Sequence, residues 1–409
     1  MGQLYVTICK MKLAIVSPYP PDITGIGQYG YYVSRSLARS GQFDRVSVLA
    51  GARTTPARVD GLPGLRVRYT WQPGRYRGGP AILAGLREED PDLVWFNIGA
   101  SVFGHSPLAN LLGFLSLYRV SLSGLPTVVT LHELVELADL KTLKAPGGRL
   151  ARFGARLLTR LATRSDVVCL TMRRYLNWIA SRQPDLTCVH IPIGAYHAPE
   201  RLAESRVPEL LFFASLAPYK GLEVLLSAYA SLLARYPDLR LAVAGAEHPR
   251  FPGYGEVLRR GYADLSGVRW LGQVPEDRVR ELFARSRIVV LPYLASTGSS
   301  SVLYHAAMWG RPLVASGLPD LKMAAEEDGL EVEFFEPSNP ARLAGAIRTL
   351  LDSPGRRTAL AEHNFNAVQH RRPEATCTAY LQAFNLALEA RRSPKRIEIP
   401  ALSPPELAR

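Results

Sequence analysis

MKLAIVSPYPPDITGIGQYGYYVSRSLAR, residues 11–39, is the stretch on which the fold turns. Leu13, Ala14, Ile15 and Val16 form an uninterrupted apolar run of strand length, as expected of a strand covered on both faces. A loop at 18–24 carries Pro18, Pro20 and Pro21 and delivers Gly25-Ile26-Gly27-Gln28-Tyr29-Gly30. From 29 to 39 apolar positions recur at helical spacing, so strand, glycine-bearing loop and helix read as the first half of a βαβ unit. The alternation repeats with strand-like runs at 45–49, 93–97, 127–131 and 167–170. A second set follows at 210–214, 239–245, 268–271, 288–292 and 312–315, with helical runs at 222–235, 279–285 and 302–309. Two doubly wound α/β domains result, and the crevice between them is the default ligand site. A polar stretch at 198–208 reads as the linker, and a helix at 375–391 precedes a proline-rich end expected to fray.

Composition narrows the function class. A chain of 409 residues exceeds the ~250–300 at which single cores stop growing, and 47% apolar with 21% charged residues is ordinary globular composition. Cys9, Cys169, Cys188 and Cys377 have no paired spacing, which argues against a disulfide framework or zinc ribbon and for a reducing compartment. No run reaches the ~18–20 apolar residues of a membrane span; the nearest, 111–118, ends at Arg119. The first ten residues lack a signal-peptide pattern and Met11 reads as a second possible start codon, so the protein is expected in the cytoplasm. The net charge of +13 is uneven. Residues 1–200 hold 23 basic and 13 acidic side chains, residues 201–409 hold 26 and 23. A concentrated basic face needs an acidic partner or water.

Three motifs carry chemistry. The G-x-G-x-x-G at 25–30 spells a dinucleotide fingerprint, but Gly25 lies eight residues beyond Ser17 and no acid ends the second strand near 47–50, which counts against a dehydrogenase. Such a loop still turns backbone N–H groups and a helix dipole toward phosphate, making Gly25 and Gly27 candidate anion contacts. Leu216-Ala217-Pro218-Tyr219-Lys220-Gly221 sets Lys220 at the expected start of a helix, where an ammonium can neutralise a diphosphate leaving group. Thr297-Gly298-Ser299-Ser300-Ser301 crowds hydroxyls and bare amides at another helix start, either an anion cradle or a run of good N-caps.

In order and spacing, residues 20–32, Thr130-Leu131-His132, Ile191-Pro192-Ile193-Gly194, Pro218-Tyr219-Lys220-Gly221, Val243-Ala244-Gly245, Leu271-Gly272-Gln273-Val274 and Ala307-Met308-Trp309-Gly310-Arg311-Pro312 resemble the group 4 retaining glycosyltransferases of the GT-B fold. The resemblance runs from about residue 11 to 391. It implies an α/β GT-B architecture, two Rossmann-like doubly wound domains facing across a cleft. The first, 11–197, would bind acceptor and the second, 208–372, nucleotide-sugar; 373–391 would be a helix crossing back, and 392–409 a flexible tail. It further implies catalytic roles for Lys220 and His132. Donor contacts would come from Gly25, Gly27, Ser215, Val274, Thr297, Gly298, Ser299, Ser300, Ser301 and His305. The nucleotide-sugar would be a co-substrate, with no cofactor and no metal. Two departures stand out: the family's paired glutamates are replaced by Thr297 and His305, and its arginine falls near Ser215, which leaves Lys220 as that motif's lone phosphate cation.

The expected activity is retaining transfer of a sugar from a nucleotide-sugar to a hydroxyl acceptor, in bacterial polysaccharide, glycolipid or glycoconjugate synthesis. The alternative is a catalytically silent GT-B protein that binds sugar-nucleotides. Asp90-Pro91-Asp92 has the spelling of the metal-binding Asp-x-Asp of GT-A enzymes, but a place between helix end and buried strand favours helix termination.

Arg149, Arg152, Arg156, Arg160 and Arg164 fall on one helical stripe, with Leu150, Phe153, Leu157 and Leu161 on a second stripe expected to pack. The arginines are either a solvated face or a dock on an anionic membrane leaflet, where a glycan or lipid-linked acceptor would wait; peripheral attachment to the inner face of the cell membrane follows from the second reading. Nucleic acid is not expected, because no binding module accompanies the charge.

Overall fold

The computed structural model describes residues 11–22, 24–52, 61–99, 101–104, 106–139, 141–143, 149–193, 196–296 and 298–392. The first half runs β1 (Met11–Pro18), α1 (Gly25–Arg39), β2 (Phe43–Gly51), β3 (Leu65–Trp71), α2 (Gly78–Glu89), β4 (Leu93–Ile98), α3 (Pro107–Leu122), β5 (Thr127–Leu131), α4 (Arg149–Ala162), β6 (Val167–Leu170), α5 (Arg173–Ala180) and β7 (Cys188–His190). The second runs β8 (Glu209–Phe213), α6 (Leu222–Leu233), β9 (Arg240–Ala244), α7 (Tyr254–Gly261), β10 (Val268–Gly272), α8 (Glu276–Arg285), β11 (Ile288–Leu291), α9 (Ser301–Met308), β12 (Leu313–Ser316), α10 (Pro319–Glu327), β13 (Glu333–Phe335), α11 (Pro340–Asp352), α12 (Pro354–Ala367) and α13 (Pro373–Arg392). The strands form two parallel sheets, ordered β3-β2-β1-β4-β5-β6-β7 and β10-β9-β8-β11-β12-β13.

The apolar run in β1 is explained by its two faces. Leu13 and Ile15 feed the core shared with α1 and α13, whereas Ala14 and Val16 feed the core beneath α2 and α3. Thr24 caps α1 by accepting from the Gly27 amide, and the helix buries Tyr29, Val33 and Leu37. The terminal helix α13 lies on this same face: the Tyr380 hydroxyl meets the Tyr29 hydroxyl and Thr130 Oγ1, both at 2.8 Å, and Arg391 pairs with Asp166 at 2.8 Å. Tyr380 and Phe384 are fully buried, worth about 1.5–3 kcal/mol each, so the helix is firmly docked on the first sheet.

Two expectations need correction, the linker and the packing stripe of α4. The 198–208 stretch is strapped to the second domain: Glu200 N donates to Met308 O, and the Arg311 guanidinium donates to the carbonyls of Leu202 and Ala203. Burial pushes the Arg311 pKa down to about 10. In α4, Phe153 does not pack; it is 66% exposed, and the buried residues are Ala155 and Ala162, flanked by half-buried Leu158 and Leu161. Of the expected second stripe, Leu161 packs on the core and Leu157 is half-buried, the Leu150 side chain lies outside the described residues, and Phe153 alone is left in water beside Arg152 and Arg156. Asp90 is the left-handed C-cap of α2 and pairs with Lys12 at 2.8 Å, while Asp92 accepts from the Lys12 amide at 2.7 Å. Among the described residues no helix is long and apolar enough to cross a membrane, and no three or more His, Cys, Asp or Glu side chains are placed to hold a metal.

Candidate active site

In parallel sheets, ligand-binding loops leave the C-terminal ends of the strands. Here the loops after β1, β4 and β5 lie together, and the loop after β5 meets the one after β11. The first domain's wall is organised by Asn97, near the end of β4. Its amide nitrogen donates to Ser17 Oγ (2.8 Å) and to the carbonyl of Ile26 in the glycine loop (3.0 Å), so its oxygen faces His132 Nε2 at 2.6 Å. Gly30 makes this possible: a Cβ there would fall 2.2 Å from Ser17 Oγ and 2.9 Å from the Asn97 nitrogen. The network puts the imidazole proton on Nε2 and leaves Nδ1 as the acceptor nitrogen. Burial pushes the His132 pKa down to about 3, so the ring is neutral at physiological pH. Its edge packs on Tyr29 at 4.9 Å. Gly25 has open space about its Cα, whereas Gly27 closes on Thr24 Oγ1.

The second domain's wall begins at Ser215, just past β8. Gly245 at φ +152 presses against it; a Cβ there would overlap the Ala214 carbonyl at 1.8 Å, so only glycine fits. Lys220 does not open a helix. It ends a 3₁₀ turn, Pro218–Lys220, after which left-handed Gly221 starts α6. Its ammonium sits 3.8 Å from the Tyr293 ring centroid and 5.7 Å from that of Tyr219. Among the described residues no carboxylate pairs with it, and burial pushes its pKa down to about 8. It remains mostly charged at neutral pH, an uncommitted cation on an aromatic bed.

The α9 loop closes the junction. Thr297 lies outside the described residues. Gly298, at φ +106, comes so near the first domain that a Cβ would stand 2.8 Å from the His132 carbonyl oxygen. Ser299 Oγ is buried with no hydrogen-bond partner. Ser300 occupies the N-cap position without capping, its hydroxyl 3.3 Å from the Tyr293 hydroxyl, while the Ser301 hydroxyl bonds to Tyr196. The helix start is thus left without a side-chain cap, with one orphaned hydroxyl beside it, which suits an anion. His305 lies apart, in an aromatic cluster: stacked on Phe283 at 5.8 Å, and 5.2 Å from Tyr196, with Nδ1 lacking a partner. Burial pushes its pKa down to about 4. Val274, half-buried after β10, precedes α8.

A chain of contacts therefore joins Lys220, Tyr293, Ser300, Gly298 and His132 across the two domains. A cavity of about 1060 Å³ lies to one side of it, between α1, α13 and the start of α8, where Glu276 accepts from Gln28 (3.2 Å) and meets His197 (3.3 Å). It contains neither Lys220 nor His132. Sequence reasoning missed Asn97, Glu133, Tyr293 and Asp320. Asn97 did leave a signal, as the one polar residue in the buried run of β4. Glu133 is beside His132, with its carboxylate near Gly99.

Residues 24–194 match the model of the glycosyl transferase 4-like domain, and residues 207–353 that of the glycosyl transferases group 1. The D-inositol 3-phosphate glycosyltransferase of Acidothermus cellulolyticus is 27% identical over 389 residues, 85% of this chain and 82% of that protein. The phosphatidyl-myo-inositol mannosyltransferase of Mycolicibacterium smegmatis is 28% identical over 75% of this chain and 76% of its own length. A shorter match, 32% identical to D-inositol 3-phosphate glycosyltransferase 2 of Catenulispora acidiphila, spans 45% of this chain and 44% of that protein. Among solved structures, sucrose-phosphate synthase from Thermosynechococcus elongatus superposes with a TM-score of 0.73 at 16% identity, covering 93% of this chain and 100% of that one. Anabaena HepE in complex with UDP-glucose gives 0.67 at 16% identity, covering 93% and 100%. At such identity the structural likeness shows the fold, the GT-B arrangement of two facing α/β domains.

Proposed function

We propose, from the premise that this chain belongs to the group 1 glycosyltransferase family of the GT-B fold, that it transfers a sugar with retention and without a metal from a nucleotide-sugar to a hydroxyl of a glycan or lipid-linked acceptor. The transfer of sugars is the family's activity; stereochemistry, metal independence, residue roles and acceptor are the proposal. The observation that carries it is the meeting of the Gly298 loop with His132 beside an unpaired, partly desolvated Lys220.

In the proposed reaction the acceptor hydroxyl approaches the anomeric carbon from the face that the nucleotide diphosphate leaves. The bond from carbon to diphosphate oxygen breaks with its electron pair on the diphosphate, the new glycosidic bond forms, and the departing oxygen takes the hydroxyl proton. No side-chain base is required. The protein's task is to position both substrates and to meet charge as it develops on the leaving group. Lys220 supplies the cation, and the amides at the start of α9 with Ser299 supply further donors. His132, neutral and held by Asn97, offers Nδ1 to a sugar hydroxyl. The glycine loop, tied to the same Asn97, offers amides from the other side.

Two relatives named for inositol phosphate or phosphatidylinositol acceptors support a phosphorylated or lipid-linked acceptor here. The α4 surface fits that choice. Its four arginines, Arg149, Arg152, Arg156 and Arg160, have no ion-pair partner among the described residues; Arg164, expected on the same stripe, lies in the turn past the helix end, and Phe153 projects beside the four, a pairing suited to an anionic lipid surface. A second reading, a silent binder of sugar-nucleotides, draws on His305, which stands shut in an aromatic cluster where the family places a carboxylate. A panel of UDP-, GDP-, ADP- and TDP-sugars separates the two: turnover of any member supports the enzyme, and binding without hydrolysis or transfer supports the binder.

A further inference from the structure

Helix α10 carries a carboxylate at each end, and both reach out of their own domain. Asp320, only 7% exposed, accepts from Arg174 Nη1 at 2.5 Å through Oδ1. Through Oδ2 it accepts the Gly298 amide at 3.2 Å and the Tyr175 hydroxyl at 3.4 Å. Arg174 and Tyr175 belong to α5 of the first domain; Gly298 opens the α9 loop of the second. At the other end, Glu327 Oε1 accepts from the Arg173 amide at 2.9 Å, and Oε2 lies 3.4 Å from His190 Nε2. That amide is the first of α5, whose own N-cap residue Met172 provides no side-chain bond. The second domain therefore caps a helix of the first.

The two ends do different things. Among the described residues the hydrogen bond and ion pair of Glu327 both go to the first domain, so it is a clasp. Asp320 touches both sides of the cleft. A buried carboxylate left without its cation is strongly disfavoured. Its hold on the Gly298 amide therefore depends on Arg174, a residue of the opposite domain. Within its own domain the loop is held by Ser296 Oγ, which donates to the Gly298 carbonyl at 2.8 Å, and by the Ser300 contact with Tyr293; the Asp320 bond is what ties the Gly298 amide to Arg174 of the first domain.

We propose that Asp320 is a positioning residue for the donor: it holds the 298–301 cradle in its binding geometry only while Arg174 and Tyr175 are engaged, which couples donor binding to closure of the two domains. This rests on the reading that the cradle holds the donor. By linkage, a donor that binds the ordered loop favours closure to the same extent.

The test measures affinity for the best nucleotide-sugar of the panel by calorimetry, together with steady-state constants, for wild type, Asp320→Asn, Arg174→Gln, the double variant and Glu327→Gln. Arg174→Gln and Asp320→Asn are each expected to weaken donor binding by about ten- to hundredfold, the range of a lost charge-assisted hydrogen bond. The double variant should be no worse than the poorer single one, because the residues act as one unit. The acceptor KM should change little. Glu327→Gln should lower the melting temperature yet leave donor affinity within about twofold. Wild-type donor affinity in Arg174→Gln, whatever its melting temperature, overturns the proposal; that variant decides alone if Asp320→Asn does not fold, since Arg174 is partly exposed. A wild type that binds no nucleotide-sugar overturns the functional reading and this inference with it.

Discussion

Replacing Lys220 by methionine should make the protein more stable and far less active, and the structure supplies both magnitudes. The ammonium has no carboxylate partner among the described residues, and burial lowers its pKa from 10.5 to about 8. At ~1.4 kcal/mol per pH unit, holding it charged in the folded protein costs about 3 kcal/mol. The Tyr293 face at 3.8 Å returns roughly 0.5–2 kcal/mol of that. A net penalty of about 1–3 kcal/mol remains, and methionine, similar in length and uncharged, does not carry it. Because the folded-state pKa is depressed, the penalty is present in full below about pH 8 and fades as the pH rises from there to 10.5. Urea unfolding at pH 7 should therefore show Lys220→Met above wild type by about 1–3 kcal/mol, and the gap should narrow at pH 9.5. Turnover should move the other way, falling about 10²–10³-fold as a cation aimed at the leaving diphosphate is lost. In wild type, kcat/KM for the donor should decline as the pH rises through about 8, with saturating donor shifting the decline upward. A Lys220→Met protein less stable than wild type at pH 7, with near-normal turnover, would refute the reasoning.

Other consequences are open to similar checks. Asn97→Ala removes the acceptor that fixes the His132 tautomer and the donor that ties down the glycine loop, and should lower kcat/KM about 10–100-fold with little loss of helical signal in circular dichroism. Gly298→Ala places a methyl group against the His132 carbonyl at a backbone angle reserved for glycine; a cost of about 1–3 kcal/mol should appear as a raised donor KM in steady-state assays. His305→Glu sets a carboxylate among Phe283 and Tyr196, so unfolding should be easier by about 2–4 kcal/mol, and a changed nucleotide preference in the donor panel would show that the position reaches the donor. With Arg152, Arg156 and Arg160 changed to Gln together, binding to anionic vesicles should fall by about a hundredfold, at roughly 1 kcal/mol per arginine; wild-type protein that stays in the supernatant at low salt removes the membrane reading.

What the sequence discloses follows from how locally each feature is specified. The β1 run and the glycine loop are legible because strand, cap and helix start are neighbours in the chain. Strand β3 is not, since Arg66 and Arg68 interrupt its apolar pattern; the charges are tolerated because Glu89, itself buried, takes both, with Ser47 donating to it at 2.7 Å. Strands β7 and β13 are three residues each, too short for any period to show. The site divides in the same way. Lys220 and His132 can be picked out because motif and element end coincide. Asp320 looks like an ordinary acid in the first turn of a helix, and only contact with Arg174, 146 positions away, gives it another role. Phe153 shows the opposite failure: helical spacing placed it on a packing stripe, but which face packs is set by the neighbouring helix.

The stereochemistry of the product tests the proposed reaction most directly. Wild-type protein should be incubated with EDTA, the active nucleotide-sugar and its acceptor, and the anomeric configuration of the first product followed by proton NMR. We expect a product with the donor's own configuration, formed at an undiminished rate in the chelator. An inverted product, or transfer that stops until Mg²⁺ or Mn²⁺ is restored, would contradict the claim that Lys220 and the donor's own diphosphate suffice for the chemistry.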